Sequence, residues 1–343
     1  MKKPATPRSP RATGRTTLAD VARVAEVSPM TASRALRGER RVDAELVRHV
    51  QEAAQKIGYV PDPAARALAS RRSSHVAVLI PSLTNRLFVE LLESAQQALR
   101  GAGFQTLIGV THYDPAEEEQ LVREHLLHRP AGLLLCGLAQ TAATRRMLAE
   151  QDLPCVYMME TTPEPRLCSV GFSQLDAAAA MTRHLLARGH RRIAFAAAQL
   201  DPRTLQRLEG WRRVLVEAGC HDERLEWRDP APSSVALGVR MFEQISALRP
   251  AVDAIFFNND DLAHGALLAA ARLGLAVPGG IAIAGFNDLP ESAYTAPPLT
   301  TVRTPRAEVG LRAAELLLAR LRGEAPAAQQ LDLGFELVVR ASS

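Results

Sequence analysis

The 343-residue sequence lacks several features that would place a protein outside the cytoplasm or in a membrane. It contains no run of about 18 uncharged apolar residues, which argues against a transmembrane helix. The N-terminal segment MKKPATPRSPRATGR is basic but has no apolar core, so it does not resemble a secretory signal. No C-x-x-C pair is present, which favours buried reduced thiols over metal or redox chemistry at Cys136, Cys155, Cys168 and Cys220. We therefore expect a cytoplasmic protein with no membrane partner.

Motifs typical of enzymes are also missing. We find no G-x-S-x-G elbow, H-E-x-x-H pair, Walker loop or G-x-G-x-x-G fingerprint. His112, His190 and His264 are scattered along the chain, and an isolated histidine in such a setting is more often structural than catalytic. The sequence therefore predicts no catalytic residue, no metal and no cofactor, and a sugar enzyme is the weaker alternative.

The charge is distributed unevenly along the chain. The formal net charge is +4, but residues 1–72 hold 15 Lys and Arg against 7 Asp and Glu, a net of +8. The other 271 residues therefore carry −4. A basic head on a slightly acidic body suggests that only the head contacts a polyanion, with residues 1–15 as a disordered basic tail. A basic segment that is merely solvated is the alternative, and the ordered apolar pattern inside the head argues against it.

The stretch LADVARVAEVSPMTASRAL predicts two short helices joined by a turn. Thr17 can cap the first helix, and Ser28-Pro29 is a strong start for a second helix over about residues 29–36. The second helix buries small apolar residues and turns its other side chains outward, namely Met30, Thr31, Ser33 and Arg34. Hydroxyl groups can bind phosphates and an arginine can bind a guanine edge, so this helix suits a DNA major groove.

A third amphipathic helix, DAELVRHVQEAAQKIGY, closes a small three-helix core and ends at Gly58. We therefore expect a helix-turn-helix domain over residues 16–62. A helical domain that binds another protein is the alternative explanation of the same pattern.

Apolar runs alternate with helical stretches from residue 75 onward. The expected strands are HVAVLI, FQTLIGV, AGLLLC, PCVYMM, RRIAFAAA, DAIFFNN and GIAIAGF. The expected helices span 88–101, 116–128, 174–189, 204–219, 233–248 and 261–274. This alternation predicts an α/β body with parallel sheets that helices cover on both faces. A ligand would then lie at the carboxyl ends of the strands.

These segments together resemble the LacI/GalR family of bacterial transcriptional regulators. The similarity is carried by TLADVARVAEVSPMTASRAL, RRV, IGYVPDPAARALAS and HVAVLIPSLTN, and it runs from about Thr17 to the C-terminus. It implies a two-lobed body similar to periplasmic sugar-binding proteins over residues 75–343. The expected lobe 1 comprises about 75–170 and 300–325, and the expected lobe 2 comprises 171–299 and 326–343. A periplasmic transport protein would lack the DNA-binding head, so it is a weaker alternative.

The resemblance also assigns DNA-contact residues. It implies contacts from Thr17, Ser28, Pro29, Met30, Thr31, Ser33, Arg34 and Tyr59. It further implies that the hinge, residues 63–74, forms a helix in the dimer and inserts Leu68 between base pairs of the minor groove. Ordinary packing is the alternative for Leu68. Glu26 departs from the family, which usually has Gly or Asn in this turn, so a positive φ would cost Glu26 a modest strain.

Polar and aromatic side chains follow the expected strands, where a polyol ligand would bind. The candidate effector contacts are Ser82, Asn85, Phe88, Glu160, Phe172, Arg203, Arg207, Asn259, Asp260 and Asn287. Of these, Arg207, Asn259 or Asp260, and Asn287 match effector positions of the family. Helix capping and turn chemistry are the alternative for Asp260 and Asp288, and a surface position is the alternative for Arg207.

Within the family, several segments look most like the gluconate-type repressors: IPSLTNRLF, SVGFSQLDAAAAMT, QLDPRT, NNDDLAHGA and LDLGF. This implies a homodimeric repressor that binds a palindromic DNA operator and is released by a sugar acid such as gluconate or 2-ketogluconate. Arg203 and Arg207 could bind the carboxylate. A neutral hexose or pentose could use the same amide groups.

Overall fold

The computed structural model of the chain describes residues 16–36, 42–60, 73–324 and 328–343. The chain divides into an N-terminal unit that ends at Arg72 and a second unit that begins at Ser73, and we describe each by itself. The predicted basic tail, 1–15, and the predicted hinge contact Leu68 lie outside the described residues.

Among its described residues, the N-terminal unit contains three helices, α1 (Leu18–Val24), α2 (Pro29–Leu36) and α3 (Ala44–Lys56). The side chains of Thr17 and Asp43 cap α1 and α3, respectively. The three helices share a small core of alanine and valine, formed by Val21, Ala22, Ala25, Ala32, Ala35, Val50, Ala53 and Ala54. The small size of these side chains lets the helices approach closely. Of the α2 residues predicted to be buried, Ala32 and Ala35 are in this core and Leu36 is half-buried against it.

The turn between α1 and α2 contains Glu26 in a left-handed conformation, with φ of 53°. A side chain with a Cβ costs energy there, whereas glycine would not. The strain expected from the sequence at this position is therefore present in the structure.

The second unit contains two six-stranded, mostly parallel sheets. The first sheet has the order β11-β5-β4-β3-β1-β2. Its strands are β1 (His75–Ile80), β2 (Gln105–Val110), β3 (Gly132–Cys136), β4 (Cys155–Met158), β5 (Cys168–Gly171) and β11 (Gln330–Asp332). The helices packed around it are α4 (Leu87–Gly101), α5 (Pro115–Leu127), α6 (Ala142–Glu150) and α11 (Arg306–Leu321). We call this assembly lobe 1.

The second sheet has the order β12-β10-β9-β8-β6-β7, with β12 antiparallel to β10. Its strands are β6 (Ile193–Ala198), β7 (Glu226–Asp229), β8 (Ala254–Phe257), β9 (Ala282–Asn287), β10 (Thr300–Arg303) and β12 (Glu336–Val338). Its helices are α7 (Gln174–Ala187), α8 (Pro202–Glu217), α9 (Val235–Ser246) and α10 (Asp260–Leu273). We call this assembly lobe 2.

Two helices of lobe 2 begin at side-chain caps shortly after strands. Asp201 accepts hydrogen bonds from the backbone N–H groups of Arg203 and Thr204 at the start of α8. Asn259 caps α10 in the same way. The central strands are buried along their whole length because helices cover both faces. Close packing also fixes the helices in pairs: a Cβ on Gly210 of α8 would lie 2.1 Å from the carbonyl oxygen of Leu175 in α7.

The predicted division of the C-terminal segment between the lobes was wrong for two strands. β10, expected in lobe 1, pairs with β9 in the sheet of lobe 2. β11, expected in lobe 2, pairs with β5 in the sheet of lobe 1. The chain therefore crosses between the lobes three times, near residues 172, 304 and 334. Across the described ranges, no helix is long and apolar enough to cross a membrane.

Candidate functional site

The outward face of α2 carries the residues predicted to contact DNA. Met30 is 65% exposed, Arg34 is also exposed, and Thr31 and Ser33 are half-buried. Pro29 occupies the first position of the helix. The hydroxyl of Ser28 accepts a hydrogen bond from the backbone N–H of Thr31 at 3.1 Å. The helix start therefore has the predicted cap, and the face beyond it is polar and accessible.

Thr17 and Tyr59 have structural roles in the same unit. The hydroxyl of Thr17 caps α1 and donates a hydrogen bond to the carboxylate of Asp20 at 2.8 Å. Tyr59 packs against the three-helix core. Their predicted DNA contacts stay predictions.

On lobe 1, an aromatic and amide cluster lies at the carboxyl ends of β1 and β2. The amide nitrogen of Asn85 donates a hydrogen bond to the hydroxyl of Tyr113 at 3.3 Å. The ring of Phe88 packs edge-on against Tyr113, with centroids 6.3 Å apart. Burial raises the pKa of Tyr113 to about 12, so its hydroxyl stays protonated. Ser82 holds the preceding turn by accepting hydrogen bonds from backbone N–H groups.

Arg203 extends from the first turn of α8 in lobe 2 to this cluster. Its guanidinium carbon lies 5.6 Å from the ring centroid of Phe88 and 5.9 Å from that of Tyr113. Its Nη1 donates to the sulfur of Cys136 in lobe 1 at 3.2 Å. Burial alone would lower the pKa of Arg203, but Asp201 and other anionic neighbours raise it well above its ordinary value. The buried guanidinium therefore stays charged where the lobes meet.

Glu160 follows β4 and also joins the two lobes. One of its carboxylate oxygens accepts a hydrogen bond from the side-chain amide of Gln206 in α8 at 2.7 Å, and the other accepts the N–H of Leu138 at 3.1 Å. The close packing around this residue leaves no room for a side chain at Gly171, where a Cβ would lie 2.3 Å from the backbone nitrogen of Glu160. This crowding fixes the position of the carboxylate.

Arg207, one turn further along α8, lies over an aromatic ring of lobe 2. Its guanidinium carbon is 3.8 Å from the ring centroid of Phe286, which stacks against Phe172. Its Nε donates to the side chain of Gln174 at 2.8 Å, and its Nη1 donates to the carbonyl oxygen of Asn258 at 2.6 Å. Burial lowers the pKa of Arg207 to about 10, so it remains charged at neutral pH. It is buried, not a surface arginine.

Asp260 does not belong to the ligand-contact set that the sequence suggested. Its side chain is 0% exposed. One oxygen accepts from the backbone N–H of Leu289 and the hydroxyl of Ser292, and the other accepts from the hydroxyl of Thr301 at 2.6 Å. Protein donors occupy both oxygens, so Asp260 joins the start of α10 to distant segments of lobe 2. Helix capping and turn chemistry, the alternative that the sequence left open, does not describe this role, because Asn259 caps α10 and the donors lie 29 to 41 residues away.

Asn259 and Asn287 lie at the ends of β8 and β9. The Asn259 oxygen caps α10 and accepts the hydroxyl of Ser233 at 2.9 Å, while its amide nitrogen donates to the side-chain oxygen of Asn258 at 3.4 Å. Asn287 has φ of 116° and is buried, and its side-chain oxygen accepts no hydrogen bond within the part of the chain that the structure describes. An unsatisfied buried acceptor can receive a donor from a ligand.

A narrow cavity of about 40 Å³ lies where Arg203 and Glu160 meet the aromatic and amide cluster of lobe 1. Its lining includes Tyr113, Glu118, Cys136, Glu160 and Arg203. We call the space between the lobes at this point the cleft. The cavity is smaller than the about 300–1,000 Å³ that small-molecule sites span. A ligand of sugar size therefore needs the lobes to separate, or Arg203 to move away from Cys136.

Comparisons with known proteins agree with both units. Residues 17–62 match the family model described as bacterial regulatory proteins, lacI family, and residues 182–343 match a periplasmic binding protein-like domain. The HTH-type transcriptional regulator GntR of Pseudomonas aeruginosa is 54% identical over 92% of this chain and 92% of its own length. This chain belongs to the LacI family of bacterial regulatory proteins. It is a DNA-binding transcriptional regulator and not an enzyme, as the sequence predicted.

Solved structures of LacI-family proteins have the same fold. The transcription regulator GntR from Chromobacterium violaceum superposes with a TM-score of 0.77, at 52% identity, over 78% of this chain and 99% of that chain. The lac repressor dimer bound to operator and the anti-inducer ONPF gives a TM-score of 0.85, at 25% identity, over 96% of this chain and 99% of that chain. The predicted fold class, a helix-turn-helix head with a two-lobed α/β body, is thus confirmed.

In this LacI-family chain the structure brings two groups of predicted residues together. Asn85, Phe88, Glu160 and Arg203 lie around the cleft cavity or touch its lining. Phe172 and Arg207 lie together against Phe286. Sequence reasoning missed several residues of these groups: Tyr113, Glu118, Cys136, Gln174, Gln206 and Phe286. Tyr113 and Phe286 follow or end apolar strands, which is the signal that could have found them.

Proposed function

We propose that the chain is a homodimeric repressor that binds a palindromic operator and is released by a sugar acid such as gluconate or 2-ketogluconate. It would act on chromosomal DNA in the bacterial cytoplasm and control genes of sugar-acid catabolism. The observation that carries the ligand assignment is the buried pair of Arg203 and Glu160, since each group contacts both lobes. A ligand that binds these two groups acts directly on the junction of the lobes.

The chemistry of the cleft suits a ligand with one carboxylate and several hydroxyl groups. Among the described residues, Nε of Arg203 and Nη2 of Arg207 donate no hydrogen bond, so both can bind a carboxylate. The oxygens of Glu160 and Asn287 can accept from hydroxyl groups, and the rings of Phe88 and Phe172 offer apolar surface. Asp114, Glu118, Glu160 and Asp201 also line the cavity, and Asp201 lies 3.5 Å from Nη2 of Arg203. A sugar acid must therefore place its carboxylate at the two guanidinium groups and its hydroxyl groups toward these carboxylates.

Exposed apolar side chains support a dimer of the second unit. Val89 on α4 is 48% exposed, Ile108 on the edge strand β2 is 43% exposed, and Leu268 on α10 is 61% exposed. Tyr294 is 87% exposed, and nearby Glu291 forms an ion pair with Arg86 of lobe 1. Side chains of this kind on both lobes are typical of a surface that a second copy covers. Two copies would present two α2 helices to the two half-sites of a palindrome.

The proposed mechanism links the cleft to DNA through the lobe arrangement. Three chain crossings join the lobes within each copy and allow one lobe to rotate against the other. If the dimer contacts hold both lobes, ligand-driven rotation within each copy would turn the two lobes 1 of the dimer against each other. The ligand can lower operator affinity only to the extent that it binds the released state more tightly. Repression follows if the unliganded dimer is the form that binds the operator.

A calorimetric panel joined to an operator-release assay tests this proposal. Gluconate, 2-ketogluconate, 6-phosphogluconate, galactose and ribose are titrated into the full-length protein. Each is then added to the protein bound to a fluorescent DNA fragment from its own promoter. We expect binding and release with gluconate or 2-ketogluconate alone. Release by galactose or ribose instead would replace the sugar acid by a neutral sugar, and no preference for promoter DNA over scrambled DNA would overturn the proposal.

A further inference from the structure

A cavity larger than the one in the cleft lies on lobe 1. It has a volume of about 680 Å³, within the range of small-molecule sites. Its walls come from α6, from β4 and from the segment between Thr162 and Cys168. We call it the lobe 1 cavity. Its buried floor includes Tyr157. Burial raises the pKa of Tyr157, so the phenol stays a neutral hydrogen-bonding group.

Three arginines line the lobe 1 cavity: Arg145, Arg166 and Arg320. Within the described ranges none of the three forms an ion pair, whereas the neighbouring Arg146 pairs with Glu150. Arg145 donates to the carbonyl oxygen of Leu138 at 3.1 Å, and Arg320 donates to that of Cys155 at 3.3 Å. Backbone carbonyls position these guanidinium groups without neutralising them. Each therefore keeps its full charge and has N–H groups for an oxyanion.

The cavity also contains two carboxylates, Asp152 and Glu164, at exposed positions. A small bare polyanion would be repelled by them, whereas hydroxyl groups donate hydrogen bonds to carboxylates. The lining as a whole therefore suits a molecule that carries one oxyanion for the arginines and hydroxyl groups for Asp152 and Glu164.

We propose that the lobe 1 cavity is a second ligand site, for a small polyhydroxylated anion whose phosphate or carboxylate binds Arg145, Arg166 and Arg320. It is separate from the cleft, and its existence does not depend on the identity of the cleft ligand.

The segment from Gly137 to Thr141 is the wall between the two cavities. Gln140 lines both of them. The backbone of Leu138 bonds to both sides: its N–H donates to Glu160 in the cleft at 3.1 Å, and its carbonyl accepts from Arg145 in the lobe 1 cavity at 3.1 Å. A ligand that draws Arg145 away from Leu138 would act on the residue that holds Glu160. Binding at the two sites is therefore expected to be coupled, and this coupling rests on the proposed function of the cleft.

Calorimetry with the full-length protein tests the site. The probes are glucose 6-phosphate, glucuronate and inorganic phosphate. The test variant combines Arg145→Gln with Arg166→Gln, and Arg146→Gln is its control. Arg207→Ala reports whether a probe binds in the cleft instead. We expect glucose 6-phosphate or glucuronate to bind, with at least a tenfold loss in the double variant and no change in the two other variants. The probe that binds better identifies phosphate or carboxylate as the recognised group.

Three results would overturn the second site: no heat from any probe at millimolar concentration, equal affinity in the double variant and Arg146→Gln, or loss of binding in Arg207→Ala, which would place the probe in the cleft. Gluconate affinity is then compared with and without saturating glucose 6-phosphate. A change that disappears in the double variant supports the coupling, and equal affinities refute it. Gluconate is a polyhydroxylated carboxylate that also fits the chemistry of the lobe 1 cavity, so its binding is assigned to the cleft by its loss in Arg207→Ala. Absence of this cleft binding, while glucose 6-phosphate still binds in an Arg145- and Arg166-dependent way, would count against the proposed function alone.

Discussion

The polar residues of α2 and those at the ends of the lobe 2 strands are placed in opposite ways. On α2, Met30 and Arg34 are exposed while alanines face the core. At the strand ends, Asp260 and Asn258 are buried and bond to other protein groups, and so does Arg207, which reaches Asn258 from α8. A polar residue on an exposed helix face can be replaced with little effect on folding, so its role lies in binding. A buried polar residue holds its neighbours in place, and a ligand must compete with those bonds.

The largest expected effect is on stability, from Asp260→Ala. The substitution removes the acceptor of three buried donors, on Leu289, Ser292 and Thr301. The Ser292 hydroxyl keeps a partner in Nε2 of His264 at 2.9 Å, so two donors are left unsatisfied, each at a cost of about 1–3 kcal/mol. Burial raises the pKa of the Asp260 carboxyl, which shows that the buried charge has a desolvation cost. The substitution removes this cost and so offsets part of the loss of stability. We expect a net loss of about 3 kcal/mol in the free energy of unfolding, measured by urea denaturation.

The matched control for this prediction is Asp261→Ala on the next residue. The Asp261 carboxylate accepts no hydrogen bond from the described residues, so a much smaller loss is expected. Equal losses in both variants would mean that the bonds to Asp260 contribute little, and the contrast between buried and exposed polar groups would fail.

The same contrast explains what could be predicted from the sequence. Local periodicity and caps placed α2 over residues 29–36 and put six body helices within two residues of their observed bounds. Two helices, α6 and α11, were not predicted. The exchange of β10 and β11 between lobes was missed because strand pairing is decided by distant segments. Asp260 was a plausible ligand contact for the same reason, since its partners lie 29 to 41 residues further along the chain.

The second effect is on the ligand response, from Arg207→Ala. We expect operator binding to persist, because α2 is untouched. Removal of a buried charged donor costs about 3 kcal/mol of ligand binding, so the ligand should bind at least a hundredfold more weakly. Release by the sugar acid is then lost. Arg213→Ala, on the same helix but paired with Asp176 at its outer side, is the control. Calorimetry and operator release are the measurements. If the sugar acid still releases the Arg207→Ala protein from operator DNA, Arg207 does not belong to the ligand site.

The third effect is on DNA affinity, from Arg34→Ala. If Arg34 reads a base, specific operator binding weakens by about 1–3 kcal/mol while binding to scrambled DNA changes little. Arg48→Ala on α3, where the arginine is 71% exposed, serves as the control. Fluorescence anisotropy at two salt concentrations distinguishes the roles: an equal loss on all DNA sequences would assign Arg34 to a phosphate instead. Thermal unfolding of both variants should match that of the unmodified protein.

The smallest effect compares two adjacent residues of α5, Glu118 and Glu119. Burial raises the pKa of Glu118 above its ordinary value of 4.5, despite hydrogen bonding from Gln140. A hydrogen bond from Thr141 lowers the pKa of Glu119. The stabilising contribution of Glu118 is therefore present below pH 4.5 and lost as the pH rises through its folded-state value, whereas that of Glu119 is present above 4.5 and lost as the pH falls.

We therefore expect Glu118→Gln to raise the thermal midpoint, relative to the unmodified protein, more at pH 7 than at pH 4. Glu119→Gln should lower it at pH 7, with a smaller penalty at pH 4. Calorimetric melting of both variants at the two pH values measures the difference. The same pH trend in both variants would show that burial in the cleft wall does not distinguish Glu118 from its less buried neighbour. Opposite trends would extend the contrast between buried and more accessible polar groups to two consecutive residues of one helix.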